Sequence, residues 1–411
     1  MKKIFLHPPI MSLKKMFRED IFSGCPKKNT FVKIFLMKIP VHIFLFFFFM
    51  ELFSCHEQVR KQAEKPQEFK HAKGFSIQEM EGYKKLTLLG SSKDSNEKFE
   101  YFLVPKKNKI PQQLIHKQLI RTPIERIVLT ATSHIPILEL LEEENSLVGF
   151  PNTSFISSPK TRKRVVANQI HELGSAQALN TEVLFALAPD LVVGFSVGRP
   201  DSSFSYLQKR GIPVMLNRDW LEETPLGRTE WIRLFGALYE KEHEAATIFK
   251  EIEREYLKIQ KAAHKAISKP TVLSGSLFQD VWYLPAGDSF NAQLFKDAHT
   301  DYLWKDSKGK GSLGLNFENV FEKAQNADLW IGCDAFANRM ELESATEHYK
   351  QFEAFTNNKI YSYAHLKGAT GGLLYFELAP VQPHILLKDI VKIAHPELLP
   401  GYHPYFFREL P

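Results

Sequence analysis

Two glutamates stand in matching surroundings far apart in the chain. Glu182 lies two residues after Asn180, and Glu318 two residues after Asn316. From Glu182 the chain runs through Val183-Leu184-Phe185 and Pro189 to Asp190-Leu191-Val192-Val193-Gly194. From Glu318 it runs through Val320-Phe321 to Asp328-Leu329-Trp330-Ile331-Gly332. Each copy offers an asparagine suited to cap a helix, a first-turn acid, a short amphipathic helix, an aspartate, and a buried strand ending in glycine. For either glutamate alone, the local account is a favourable interaction with the helix dipole, worth about 0.3–1 kcal/mol. The repetition adds a second account, a matching acidic knob on each of two lobes.

Covalent chemistry has no foothold in the sequence. There is no nucleophile elbow, no phosphate loop and no His-x-x-x-His pair, and the 15 histidines are dispersed. That disfavours a site needing several ligands around one ion. Cys25, Cys55 and Cys333 are too few and too scattered for a disulfide framework or a zinc site. Cys333 follows Leu329-Trp330-Ile331 and suits a small buried side chain. The chemistry on offer is non-covalent recognition, and neither an enzyme nor a resident cofactor is expected.

The elements that must hold these residues follow from the hydrophobic pattern. Residues 83–104 alternate around a polar turn and predict a β-hairpin. Strands are predicted at Arg126–Thr130, Ser146–Phe150, Leu191–Phe195 and Gly211–Leu216, with helices at 135–141, 181–188 and 203–209. Lys241 to Ile267 carries no Pro or Gly, and Ala245, Ile248, Phe249, Ile252, Tyr256, Ile259, Ala263 and Ile267 recur at helical spacing. Such a helix would be about 40 Å long. Beyond Pro270 the alternation resumes, with strands at 271–277, 281–284, 329–331 and 359–363. Helices are expected at 291–304 and 317–325, and a closing helix at 377–393. The fold class is therefore α/β: two parallel-sheet α/β lobes joined by one long rigid helix, preceded by a β-hairpin extension. The boundaries are 1–55 leader, 56–82 tether, 83–124 hairpin extension, 125–225 N-terminal lobe, 226–268 linking helices, 269–400 C-terminal lobe and 401–411 tail.

The net charge of +6 arises in the leader, because residues 56–411 hold 44 bases and 44 acids. A neutral body gives no composition argument for a nucleic-acid partner. In the leader, Lys38 precedes the apolar run Ile39–Met50, which is shorter than the ~20 residues needed to span a bilayer. Leu52-Phe53-Ser54-Cys55 then follows, the pattern of a lipobox whose cysteine is lipidated. Export with a lipid anchor at Cys55, on the periplasmic or cell-surface side, is the expectation. The alternative is an uncleaved anchor, and Met37 would be a natural start for the signal.

The order of these features resembles a substrate-binding protein of the iron-siderophore and vitamin B12 transport family. The resemblance covers residues 125–400. It rests on Arg126-Ile-Val-Leu, Glu172-Leu-Gly, Asn180-Thr-Glu through Pro189-Asp190-Leu-Val-Val, Gly211-Ile-Pro-Val and the single inter-lobe helix. Glu318 through Asp328-Leu and the tail from Leu387 to His395-Pro-Glu-Leu complete it. Gln382-Pro383-His384 stands where family members often carry Arg-Pro-Asp. The resemblance implies that a small-molecule metal complex (a ferric siderophore, haem or a corrinoid) is held between the lobes and delivered to the transmembrane subunits of an ABC permease. It also implies that Glu182 and Glu318 pair with permease arginines, which would set registry and encounter rate.

The ligand cleft is expected at the carboxyl ends of the strands. Candidates are Ser133, His134, Arg162, Arg164 and Phe195 from the first lobe, and Trp282, Tyr283, Arg339 and Tyr375 from the second. Aromatic faces suit a flat chelate, and arginines suit carboxylate or phenolate oxygens. Each has a plainer account. Arg162 and Arg164 could be solvated loop charges, His134 could cap or fill the core, and Trp282 and Tyr283 alternate so that one faces inward. Two rival functions keep the architecture: a two-lobed chelatase-like enzyme handling a metal cofactor, and an exported adaptor that binds another protein. A single stiff connection predicts small lobe shifts on binding.

Overall fold

The computed structural model describes residues 66–67, 69–90, 98–176, 178–195 and 202–411. The leader with Cys55, tether residues 56–65 and 68, and the turn predicted within 91–97 lie outside them.

The first element is larger than the predicted hairpin. Strands β1 (Pro66–Gln67), β2 (Phe75–Met80), β3 (Tyr83–Leu89), β4 (Lys98–Pro105) and β5 (Leu119–Thr122) form one five-stranded sheet in that order. Its pairs are antiparallel up to β4, and β5 joins parallel to β4. Residues 75–80, assigned to the tether, are thus a paired strand. Alternation turns Phe75, Ile77, Leu86, Leu88, Tyr101 and Leu103 to one face. That face shares a core with Ile127, Leu129, Trp231 and Phe235. The extension is therefore built into the first lobe.

In that lobe β6 (Ile127–Leu129), β7 (Leu147–Phe150), β8 (His171–Glu172), β11 (Leu191–Phe195) and β12 (Val214–Asn217) pair in parallel, in the order β12-β11-β6-β7-β8. A short hairpin, β9 (Gly174–Ser175) with β10 (Ala178–Leu179), intervenes in sequence. The strands are almost continuously apolar because both faces are covered. Helices α1 (Ile135–Leu140), α2 (Pro159–Val166), α3 (Thr181–Leu187) and α4 (Ser202–Lys209) flank them. Ser158 caps α2 by accepting from the Thr161 N–H. The segment around Arg162 and Arg164 is thus helical, where a loop was expected.

After α5 (Pro225–Thr229) and α6 (Ile232–Leu238) comes the long helix α7, Glu242–Ala263. Its 22 residues span about 33 Å. Its amino half puts Ala245 and Phe249 into the first lobe's core, and its carboxyl half puts Tyr256 and Ala263 into the second's. Ile267 continues the apolar stripe, yet it is fully exposed. With nothing to pack on it, the helix stops a turn early.

In the second lobe β13 (Thr271–Leu273), β16 (Asp301–Tyr302), β18 (Leu329–Ile331) and β19 (Ile360–Ser362) are parallel, and β20 (Arg408–Glu409) closes the edge antiparallel. The predicted strand at 281–284 is not in this sheet. It is β15 (Val281–Pro285), the centre of an antiparallel sheet with β14 (Ser276–Phe278) and β17 (Ser312–Leu315). The expected helix 291–304 is only α8 (Phe290–Asp297), because His299 turns the chain at φ 57° into β16. Helices α9 (Phe317–Ala324), α10 (Arg339–Ala345) and α11 (Glu353–Thr356) follow. Pro380 and Pro383 divide the predicted closing helix into α12 (Leu374–Leu378), a 3-10 turn at Ala379–Val381, and α13 (Pro383–Ala394).

The duplicated unit has the same construction in both lobes. Asn180 accepts from the Val183 N–H at 3.2 Å, and Asn316 from the Asn319 N–H at 2.9 Å. Asp190 Oδ2 accepts the backbone N–H of Arg126 at 3.1 Å, at the entry to β6. Asp328 Oδ2 accepts the backbone N–H of Thr271 at 2.7 Å, at the entry to β13. In each lobe the aspartate ties its strand to the parallel neighbour.

Candidate functional site

Glu182 and Glu318 lie in the first turns of α3 and α9, and both are exposed. Neither has an ion pair among the described residues, in contrast to the committed Asn and Asp side chains of the same units.

The two lobes meet across the carboxyl ends of β6 and β7. The loop after β7 is shaped by Glu172, which accepts from Asn152 N, Thr153 N, Thr153 Oγ1 and Gly174 N at 2.7–3.0 Å. Burial would raise this carboxyl, but those four bonds hold it below its ordinary range. The loop continues to Ser157 and Ser158, whose N–H groups each donate 2.8 Å bonds to Glu377 of the second lobe. Thr370 Oγ1 donates to Ser154 O at 2.5 Å, and Thr229 Oγ1 to Pro380 O at 2.7 Å. A Cβ at Gly368 would stand 2.7 Å from Ser157, and one at Gly372 2.7 Å from Ser157 Oγ. These two glycines permit the approach.

Glu377 is a buried carboxylate held at a contact between lobes. Burial pushes its carboxyl up to about 7, the two N–H donors oppose that, and Glu139 adds to it. Glu139 itself accepts from Ser158 Oγ and Thr161 Oγ1. Separated lobes would return Glu377 to an ordinary value near ~4.3. The sign follows from linkage: a carboxyl whose pKa is raised in the closed contact stabilises it when protonated. That stabilisation is complete below the open-state value and is lost as pH rises through about 7. Inter-lobe distance measured by fluorescence transfer should therefore lengthen between pH 5 and pH 8. Glu377→Gln should flatten the profile, and an unchanged profile in that variant would refute the assignment.

Beside this contact lies a pocket of about 120 Å³, lined by Pro225, Arg228, Phe290, Asn291, Tyr375 and Phe376 among others. Arg228 Nε donates to Asp219 Oδ2 at 2.9 Å, and its guanidinium lies 4.8 Å from the Phe290 ring centre. Asp219 is buried, which would raise its carboxyl, but Arg228 holds it well below the usual range. Tyr375 stacks on Tyr363 with ring centres 4.3 Å apart.

The predicted cleft residues scatter. Tyr375 lines the pocket, and the turn carrying Ser133 packs against α12. Phe195 ends β11 half-buried, its N–H donating to Thr130 Oγ1 at 2.8 Å, and Ser196 lies outside the described residues. Tyr283 is 47% exposed on β15. Others have nearer partners, and His134 and Trp282 are buried in the core, where an exposed cleft position was expected. His134 is wholly buried against Phe235, and its Nε2 is 3.9 Å from Asp219 Oδ1. Trp282 is core, stacked on Trp330 and donating to Ser274 O at 3.0 Å. Arg162 Nη1 braces its own loop through Thr153 O at 2.6 Å. Arg164 donates to Glu144 O and Asn145 O at the opposite, amino end of β7. Arg339 lies over Phe355, 4.3 Å from the ring centre. In each case a neighbouring apolar or carbonyl group captured the side chain. Arg228 and Glu377 were missed because both were read as the starts of helices. Pro225 and Pro380, which isolate those short helical turns, were the available signal.

Among the described residues, no group of three or more His, Cys, Asp or Glu could hold a metal ion, and no helix is long and apolar enough to cross a membrane.

Two α/β lobes, a single-helix connection and a pocket beside the inter-lobe contact define a two-lobed binding protein. The model of the periplasmic binding protein family matches residues 127–365, more than half of the chain, and the chain belongs to that family. An uncharacterized lipoprotein of Methanocaldococcus jannaschii is 25% identical over 299 residues, 71% of this chain and 70% of its own length. A possible iron-binding (periplasmic solute-binding) protein from Staphylococcus epidermidis superposes with a TM-score of 0.52 at 18% identity, over 67% of this chain and 100% of its own. A periplasmic heme-binding protein from Pseudomonas aeruginosa gives 0.53 at 17% identity, over 70% and 98%. At such identities the solved structures establish the fold. The five-stranded sheet at 66–122 lies outside the family match.

Proposed function

We propose that this protein captures an iron complex, a ferric siderophore or haem, or a corrinoid between its lobes and delivers it to an ABC permease. It is exported and held to the membrane by a lipid on Cys55, as the lipoprotein name of its relative suggests. The iron- and heme-binding descriptions of the proteins sharing its fold support that ligand class. The observation that carries the reading is the division of labour in the duplicated unit. Asn and Asp are spent on the lobe's own backbone, while Glu182 and Glu318 face solvent with no partner among the described residues. Two such carboxylates, one per lobe, suit arginines on a permease.

Titration of the purified protein with ferric siderophores, haem and cobalamin should quench tryptophan fluorescence for one of them at micromolar concentration. Silence across the whole panel would sink the reading.

A further inference from the structure

Arg228 is presented as a fork. Its Nε is committed to Asp219, and the guanidinium plane rests on Phe290. Its two terminal amino groups have no protein acceptor among the described residues, and Arg228 lines the pocket. Asp219 is buried behind it, so the direction of the fork is fixed before any ligand arrives. Tyr375 and Asn291 add polar groups to the same wall, with Phe376 and Pro380 supplying apolar surface. Burial pushes the Tyr375 hydroxyl up to about 12, so it remains a donor at neutral pH.

Size limits what enters. About 120 Å³ equals roughly four waters at ~30 Å³ each, well below the ~300 Å³ at which pockets hold a whole drug-sized ligand. It suits a short arm ending in an anion. A planar, bidentate acceptor matches a guanidinium edge better than a point charge does.

We propose that Arg228, positioned by Asp219, is a carboxylate-recognising subsite, so that the ligand carries a free carboxylate on a short arm. This rests on the binding-protein reading and narrows it to acidic chelates. Cobalamin, whose side arms are amides, and neutral hydroxamate chelates become weak ligands, whereas haem with its two propionates and ferric hydroxycarboxylate chelates become strong ones.

The test compares acid with ester on the full chain. Haemin and its dimethyl ester, ferric citrate, a ferric trihydroxamate, and 2-naphthoate with its methyl ester are titrated against wild type, Arg228→Lys and Tyr375→Phe. Arg228→Lys keeps a cation beside Asp219 and removes the fork, and Tyr375→Phe removes one hydroxyl, so both preserve the fold. The expected result is binding of acids over esters by about ten- to a hundredfold in wild type, as for hydrogen bonds to a charged group. That preference collapses in Arg228→Lys and falls in Tyr375→Phe. Equal binding of acid and ester, or an unchanged preference in Arg228→Lys, overturns the subsite. Discrimination on naphthoate with no chelate bound would uphold the subsite and overturn the iron-complex reading.

Discussion

Replacing Glu182 and Glu318 together by alanine should leave ligand affinity within about twofold of wild type and abolish uptake in cells. Both side chains are exposed and unpaired among the described residues, so their removal strands no buried donor there. The helix dipole terms lost are about 0.3–1 kcal/mol each, too little to unfold either lobe. The caps that position them, Asn180 and Asn316, remain. If docking buries these pairs, truncating one partner of each costs on the order of 2–5 kcal/mol, and loss of two would sever a weak carrier–permease encounter. Each single variant should show intermediate uptake, with weaker salt dependence than wild type. Normal uptake by the double variant would remove the docking role. Loss of ligand binding would place these residues in the ligand's environment and favour a different interface.

How far the sequence revealed this molecule depended on the range of the forces involved. The duplicated unit was legible because its Asn caps and first-turn acids are local, and its aspartates follow within one short helix, 10 residues after Asn180 and 12 after Asn316. The linking helix was legible from its periodicity, though Ile267 shows that a stripe does not guarantee a partner. The cleft was not legible. His134, Trp282 and Arg339 sit at or near strand ends, where ligands bind in such folds, yet each found a nearer aromatic or buried surface. What does meet across the lobes is set by residues some 220 positions apart, Ser157 and Glu377, which no periodicity relates. Arg228 likewise owes its direction to Asp219, a residue whose role appears only when β12 delivers it beside α5.

The supposed tether supplies the second large effect. Glu222→Ala combined with Glu230→Ala should lower the free energy of unfolding by several kcal/mol and free the backbone at residues 70–74. Five consecutive N–H groups of that segment end on these two carboxylates. Glu230 accepts from Lys70, His71 and Ala72 at 2.8–3.2 Å, and Glu222 from Lys73 and Gly74 at 2.8–3.1 Å. Glu222 also accepts the indole N–H of the wholly buried Trp231 at 2.9 Å. A buried donor left unsatisfied costs about 1–3 kcal/mol. With solvent reaching the outer part of the strap, the net loss is on the order of 4–6 kcal/mol, a large share of the ~5–15 kcal/mol of a typical domain. Gly74 belongs to the same device, since a Cβ there would stand 2.8 Å from Trp231. The strap lies against the connection between lobes, and Glu223 links it to the second lobe by pairing with Lys73 at 3.3 Å and Lys310 at 3.2 Å. It therefore stiffens the hinge that the single helix already restrains. Denaturant unfolding and hydrogen exchange at residues 70–74 measure both parts. Stability within about 1 kcal/mol of wild type, with those amides still protected, would show that the two glutamates do not hold the strap.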